Sequence, residues 1–246
     1  MGFFQRLFSK KRTNEETIEQ SLELKRLHSL DSFMRSLLRG DHYVAKSEYL
    51  GNLAEYEDLP GWFDVLRSSG TLDAYCRKNR ISESEISEIL TRYQSYPDLI
   101  DSQNDQYIKT QMVEQKDYLD SILKACDPKI RLDEDQRKVV LTDEDYCLVV
   151  AGAGAGKTTT VAAKVKYLVE KQKVDPKQIL VISFTNKAVN ELKQRIIGDL
   201  HIECPIATFH STGNAVLHKN NPDKLNIVLI QTNCTLLCKT TSVTPS

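Results

Sequence analysis

A short apolar run, Tyr146-Cys147-Leu148-Val149-Val150-Ala151, passes directly into Gly152-Ala153-Gly154-Ala155-Gly156-Lys157-Thr158, and a helical pattern follows from Thr159 to about Lys171. No other stretch of the chain narrows its possible folds as far. Glycine at every second position lets a backbone wrap and turn successive N–H groups inward. A helix opening near Lys157 adds its N-terminal dipole and its free N–H groups. The usual phosphate-binding form is G-x-x-x-x-G-K-[ST], and here Ala151 stands in place of its first glycine. The arrangement is expected to cradle a phosphate chain, with Lys157 reaching the β- and γ-phosphates and Thr158 placing its hydroxyl on Mg²⁺. A flexible Gly/Ala linker would not be followed at once by Lys-Thr and a helix.

The surrounding pattern predicts an α/β fold. Tyr146–Ala151 is of strand length, Ile179–Phe184 is a second β-rich run, and Cys204–Phe209 is a third strand candidate. Helical segments separate them, among them Lys187–Ile197, and another follows Phe209. Strands alternating with helices predict a parallel sheet covered by helices. Residues 1–104 read differently, as mostly helical and broken at Gly40, Gly51, Pro60-Gly61, Gly70 and Pro97. The best helix there follows Ser82, with Glu85 as its capping-box partner and Ile86, Ile89, Leu90 and Tyr93 on one face. Tyr49, Tyr56, Trp62, Phe63 and Tyr75 are expected to pack a small core. An amphipathic stretch from Tyr107 to Leu123 opens the second region, residues 105–228.

Composition excludes several classes. With 33 Lys+Arg against 34 Asp+Glu and 40% hydrophobic residues, the chain is neither disordered nor strongly charged. No apolar run approaches the ~20 residues of a membrane span, so no membrane partner is expected. Six scattered cysteines suit reduced thiols in a cytoplasmic protein. A near-zero average can hide a patch: from Lys157 to Arg195 there are nine Lys/Arg and three Asp/Glu, a balance of +6. The last 18 residues, 229–246, hold five Thr, two Cys and Lys239 as their sole charge. They are expected to be a disordered tail foreign to the fold, from a premature end or altered reading frame; a strand over Leu225–Ile230 with a frayed terminus is the alternative.

Four stretches in order resemble one family. Ala151-Gly152-Ala153-Gly154-Ala155-Gly156-Lys157-Thr158-Thr159-Thr160 resembles motif I of the UvrD/Rep-like superfamily 1 DNA helicases. Leu132-Asp133-Glu134-Asp135-Gln136-Arg137 resembles their Q motif, Ile182-Ser183-Phe184-Thr185-Asn186-Lys187-Ala188 motif Ia, and Ile206-Ala207-Thr208-Phe209-His210-Ser211 motif Ib. Tyr107-Ile108-Lys109 through Lys116-Asp117-Tyr118-Leu119-Asp120 is similar to the segment that leads into the Q motif in the helicase IV-like branch. The resemblance implies an incomplete P-loop (RecA-like) domain that binds ATP and Mg²⁺. Gln136 would read the adenine edge, and residues Ala151, Gly152, Ala153, Gly154, Ala155, Gly156, Lys157, Thr158 and Thr159 would hold the phosphates. Single-stranded DNA would lie along Thr185, Asn186, Lys187, Thr208, Phe209 and His210, where polar groups suit phosphates and a ring suits bases. For the full-length family motor it implies 3′-to-5′ translocation.

No Asp-Glu pair follows the loop, and the last arginine of the chain is Arg195. A metal-binding carboxylate, a water-activating base and an arginine finger are thus not supplied after Lys157, and weak or absent ATP hydrolysis is expected. The alternative reading is a non-catalytic binding or regulatory module in which residues 1–104 do the work and the loop half is a remnant. An unrelated small kinase fits less well, because it would not need the Thr-Asn-Lys-Ala and Thr-Phe-His stretches.

Overall fold

Leucine and isoleucine at helical spacing drive residues 22–107 into a helical unit with its own core. A computed structural model describes residues 22–220 and 236–239 of the chain. It divides into two compact units, Met1–Tyr107 and Ile108–Ser246. In the first, α1 (Leu22–Leu37) buries Leu27, Leu30 and Met34. After it come α2 (Lys46–Ala54), α3 (Leu59–Ser68), α4 (Leu72–Asn79) and α5 (Glu83–Gln94), and α6 (Tyr96–Glu114) begins within the unit. Ser82 caps α5 by accepting from Glu85 N–H at 3.1 Å, and Ile86, Ile89 and Leu90 are buried, as the spacing predicts.

The aromatic residues pack as expected. Tyr49 and Phe63 are buried in the core, with Tyr56, Trp62 and Tyr75 half-buried against it. Tyr49 meets Tyr96 edge to face at 5.6 Å, and Trp62 meets Tyr75 at 5.3 Å. Burial pushes the Tyr75 and Tyr96 hydroxyls up to about 12. Polar clamps fix the helices on each other: Tyr96 Oη donates to the Met34 carbonyl at 2.9 Å, and Arg26 forks onto Asp58 at 2.5 and 2.7 Å. Buried Asn104 accepts from Val44 N–H at 2.8 Å and donates to the Val44 carbonyl at 2.9 Å.

Some expected breaks are not breaks. Gly40 and Gly70 do turn the chain, with φ of +73° and +69°. Gly51 lies inside α2, where tertiary burial of Tyr49 and Leu53 outweighs its low helix propensity. Pro60 and Pro97 sit in the first turns of α3 and α6 rather than ending helices, because a first-turn residue needs no intrahelical N–H partner.

The second unit holds α7 (Lys116–Ser121), α8 (Glu134–Leu141), α9 (Lys157–Glu170), β1 (Ile179–Ser183), α10 (Asn186–Lys193), β2 (Ile206–Thr208), α11 (Phe209–Asn220) and β3 (Leu236–Lys239). A π-helical turn, Gln194–Asp199, extends α10. β1 and β2 pair in parallel with Val181 opposite Ile206 and Ser183 opposite Thr208, as the strand–helix alternation predicts. On its other side β1 pairs antiparallel with β3, Ile179 opposite Lys239. The sheet is therefore β2-β1-β3 and mixed rather than wholly parallel. Apart from these four residues of β3, the tail 229–246 and the strand alternative at 225–230 lie outside the described residues.

One strand expectation is overturned. Tyr146–Ala151 forms no strand: Tyr146 lies in a bend, and residues 147–151 carry no regular secondary structure. Tyr146, Leu148 and Val150 are 94%, 90% and 90% exposed. An apolar run states that a segment favours burial; it does not supply a ladder partner for the N–H and C=O groups. Both edges of β1 are already taken by β2 and β3.

Candidate nucleotide and nucleic-acid site

Asp133 opens α8 by accepting from Gln136 N–H at 2.8 Å, while Gln136 Oε1 accepts from Asp133 N–H at 3.1 Å. This reciprocal capping box explains the Asp-x-x-Gln spacing and fixes the Gln136 side chain. Its Nε2 donates to the Ala155 carbonyl at 3.2 Å, which brings Gln136 onto the glycine loop.

The loop runs from Ala151 to Gly156 and delivers the chain into α9. Gly154 and Gly156 take φ of +79° and +74°, a region that costs a side-chain-bearing residue steric strain. Gly156 is the N-cap of α9 and offers no side-chain cap. The first N–H groups of the helix are thus left without a side-chain acceptor, at the end where the dipole favours an anion. Lys157 and Thr158 are the first two residues of that helix. Lys157 Nζ folds back and donates to the Gly152 carbonyl at 2.6 Å and the Ala151 carbonyl at 3.2 Å. Ala151 and Thr158 are half-buried, while Gly152–Ala155 are exposed.

Two cations not singled out by the sequence pattern support this half. Lys164, on α9, donates to the Thr142 carbonyl at 2.6 Å and the Val140 carbonyl at 2.9 Å, capping the C-terminus of α8. Arg195, in the π-helical turn, donates from Nη1 to Thr159 Oγ1 at 2.8 Å. With Gln136 and Arg195 both attached near residues 155–159, the loop is held from α8 and from the end of α10. No local spacing could reveal contacts between residues 19 and 36 positions apart.

The Tyr118 segment is anchored on the same body. Tyr118 Oη donates to Glu170 at 2.9 Å, the Lys171 ammonium lies 4.5 Å from the Tyr118 ring centroid, and Arg137 pairs with Asp120 at 2.5 Å. Burial, then the Glu170 carboxylate, pushes the Tyr118 hydroxyl well above the usual phenol range.

The parallel pair β1–β2 places the two remaining groups of predicted residues side by side. Ser183 and Thr208 are register partners, so the chain leaves both strands at the same sheet end. Thr185 caps α10 by accepting from Ala188 N–H at 3.2 Å, and exposed Asn186 and Lys187 form its first turn. Thr208 and Ser211 bond reciprocally at 3.0–3.1 Å and open α11. Phe209 is 63% exposed, and the His210 ring lies 6.1 Å from Phe184 and 6.5 Å from Phe209. Two helix starts, an exposed lysine and an aromatic cluster thus share one sheet end.

The donor set fits a nucleoside triphosphate with Mg²⁺. A Cβ at Gly152 or Gly154 would meet no atom within 4 Å, the α9 start lacks a side-chain cap, and Lys157 and Thr158 supply an ammonium and a hydroxyl beside it. Among the described residues no group of three or more His, Cys, Asp or Glu could hold a metal by itself.

Comparison with known proteins places this segment by sequence. Residues 132–240 match the UvrD/REP helicase N-terminal domain. The chain is 43% identical over 89 residues to a probable DNA helicase II homolog of Mycoplasma capricolum, covering 35% of this chain and 12% of that protein. It is 39% identical over 105 residues to a probable DNA helicase of Mycoplasma pneumoniae, covering 39% and 19%. It is 35% identical over 99 residues to the ATP-dependent DNA helicase PcrA of Staphylococcus aureus, covering 39% and 13%. The chain thus spans less than a fifth of the length of these relatives. Residues 132–240, which contain the capped α8, the glycine loop and the β1–β2 pair, are thus similar to the N-terminal domain of UvrD/REP helicases.

Proposed function

We propose that the second unit binds ATP with Mg²⁺ at residues 151–159 and single-stranded DNA at the shared end of β1 and β2, as the nucleotide-binding part of a DNA helicase. The observation that carries this reading is the uncapped start of α9, with Lys157 and Thr158 at its mouth. Lys157 would exchange its two loop carbonyls for phosphate oxygens, an ion pair in place of bonds to neutral acceptors. Thr158 would place its hydroxyl on Mg²⁺, which neutralises phosphate charge when bound. Gln136 would meet the adenine. Asn186 and Lys187 would hold the DNA backbone and Phe209 would stack on a base, a pairing that tolerates any sequence.

The name ATP-dependent DNA helicase belongs to relatives of which this chain covers 13–14%. The test is a pair of titrations on the full chain, MgATP by calorimetry and a labelled oligothymidine by fluorescence anisotropy. Saturable binding of both, with Lys187→Ala and Phe209→Ala weakening only the DNA, is expected. Absence of both from a folded chain would favour the helical unit as the working part.

A further inference from the structure

Gln136 commits both ends of its amide within the chain. Oε1 accepts from Asp133 N–H at 3.1 Å, and Nε2 donates to the Ala155 carbonyl at 3.2 Å. The same amide fills the space a side chain would take at the next residue: a Cβ on Gly156 would lie 2.5 Å from Gln136 Nε2. The end of the loop is therefore shaped around Gln136, at the two residues that precede Lys157.

We infer that Gln136 is a positioning residue that clasps the glycine loop, fixing the Ala155 carbonyl so that the Gly156 N–H of the same peptide unit stays available to an anion, while the Ala155 N–H is held by the Gly152 carbonyl at 3.3 Å. The inference rests on the proposed ATP reading and deepens it. Each peptide unit of such a loop can turn either its N–H or its C=O toward a ligand, and only the N–H attracts phosphate. A carbonyl already bonded to Gln136 is held out of that competition. Contact with a base falls to the remaining N–H and lone pair of an amide that is fixed on the loop beforehand. Clasping and base reading are then separate tasks of one side chain, and they respond to different probes.

Two variants of the full chain separate them. Gln136→Ala removes the side-chain amide and leaves the Asp133 bond to the backbone N–H of residue 136 intact. Gln136→Glu keeps an oxygen for Asp133 N–H, since Asp-x-x-Glu is itself a capping box, but offers the Ala155 carbonyl no donor. The first readout is quench-flow hydrogen exchange of amides 152–158 in the ligand-free chain, with α8 as the internal reference. Faster loop exchange is expected in both variants, with α8 protection retained in Gln136→Glu; unchanged loop exchange overturns the inference. The second readout is affinity for Mg-tripolyphosphate, which has the phosphates of ATP and no base. Gln136→Ala should weaken it by about two- to tenfold, the range expected for one hydrogen bond. Tripolyphosphate affinity unchanged while MgATP weakens would make Gln136 a base reader alone and overturn the clasp. If the unaltered chain binds neither ligand, the ATP reading fails, and loop exchange alone decides the clasp.

Discussion

Arg195 Nη1 donates to Thr159 Oγ1 at 2.8 Å, linking the π-helical turn after α10 to the first turn of α9 across 36 residues. The same guanidinium holds Glu191 at 3.2 Å, one helical turn away. Its side chain is about a quarter exposed, so the link stands in partly screened surroundings. Arg195→Ala is expected to cost about 1 kcal/mol in urea unfolding of the second unit. Glu191→Ala, which leaves the Thr159 bond in place, should cost less than half as much. Equal losses would place the contribution in the surface ion pair instead.

Buried Asn104 bridges both backbone groups of Val44. Asn104→Ala leaves an N–H and a C=O unpaired in the interior of the helical unit, so it should destabilise that unit by about 2 kcal/mol or more. Exposed Asn52 provides the control: its substitution by alanine should lie within about 0.5 kcal/mol. Chemical denaturation followed by the Trp62 fluorescence of this unit reads both.

The helical unit and the candidate site were legible in the sequence to different depths and for different reasons. Ser82 with Ile86, Ile89 and Leu90 announced α5, because capping and burial there are both local. Gly152–Thr158 announced a strand-to-helix loop, and its helix does begin at Lys157. Pairing was the part that sequence could not carry. Tyr146–Val150 has the composition of a buried strand, yet whether it joins a ladder depends on which edges are open, and β1 offers none. Gly51 misled because propensity was weighed without the burial of its neighbours Tyr49 and Leu53. Arg195 and the Gln136–Ala155 bond were invisible for a plainer reason: contacts across tens of residues leave no spacing to read.

Exposure of Tyr146–Val150 has a measurable consequence. Leu148 is 90% exposed, so Leu148→Ser should change unfolding free energy by no more than about 0.5 kcal/mol. It should also reduce binding of an apolar dye to the folded chain, since the neighbouring exposed residues form one apolar run. A loss of 2 kcal/mol or more, as expected on removing a buried leucine, would show that this segment is packed in solution.

Cys204 gives a pH dependence. Burial pushes its thiol up to about 11 from an ordinary value near 9. The folded state thus favours the protonated thiol. Its contribution is fully present below the unfolded value and is lost as pH rises from about 9 toward about 11. The chain should lose stability over that interval more steeply than Cys204→Ala, as read by urea unfolding at fixed pH values. Parallel curves would show that this thiol titrates alike in the folded and unfolded chain. At pH 8, iodoacetamide should modify exposed Cys147 well before buried Cys204.

Calorimetric titration of MgATP into the full chain and into Lys157→Ala decides whether the glycine loop holds a nucleotide. Lys157 Nζ bonds the loop carbonyls of half-buried Ala151 and exposed Gly152 and lies itself on the exposed surface, so its removal should leave the fold and melting temperature intact. Saturable binding by the unaltered chain is expected, with a loss of about tenfold or more in Lys157→Ala, as suits removal of a charge-assisted contact to phosphate. Equal affinity in the two chains, or no binding by a chain whose circular dichroism shows it folded, would contradict nucleotide binding at the loop.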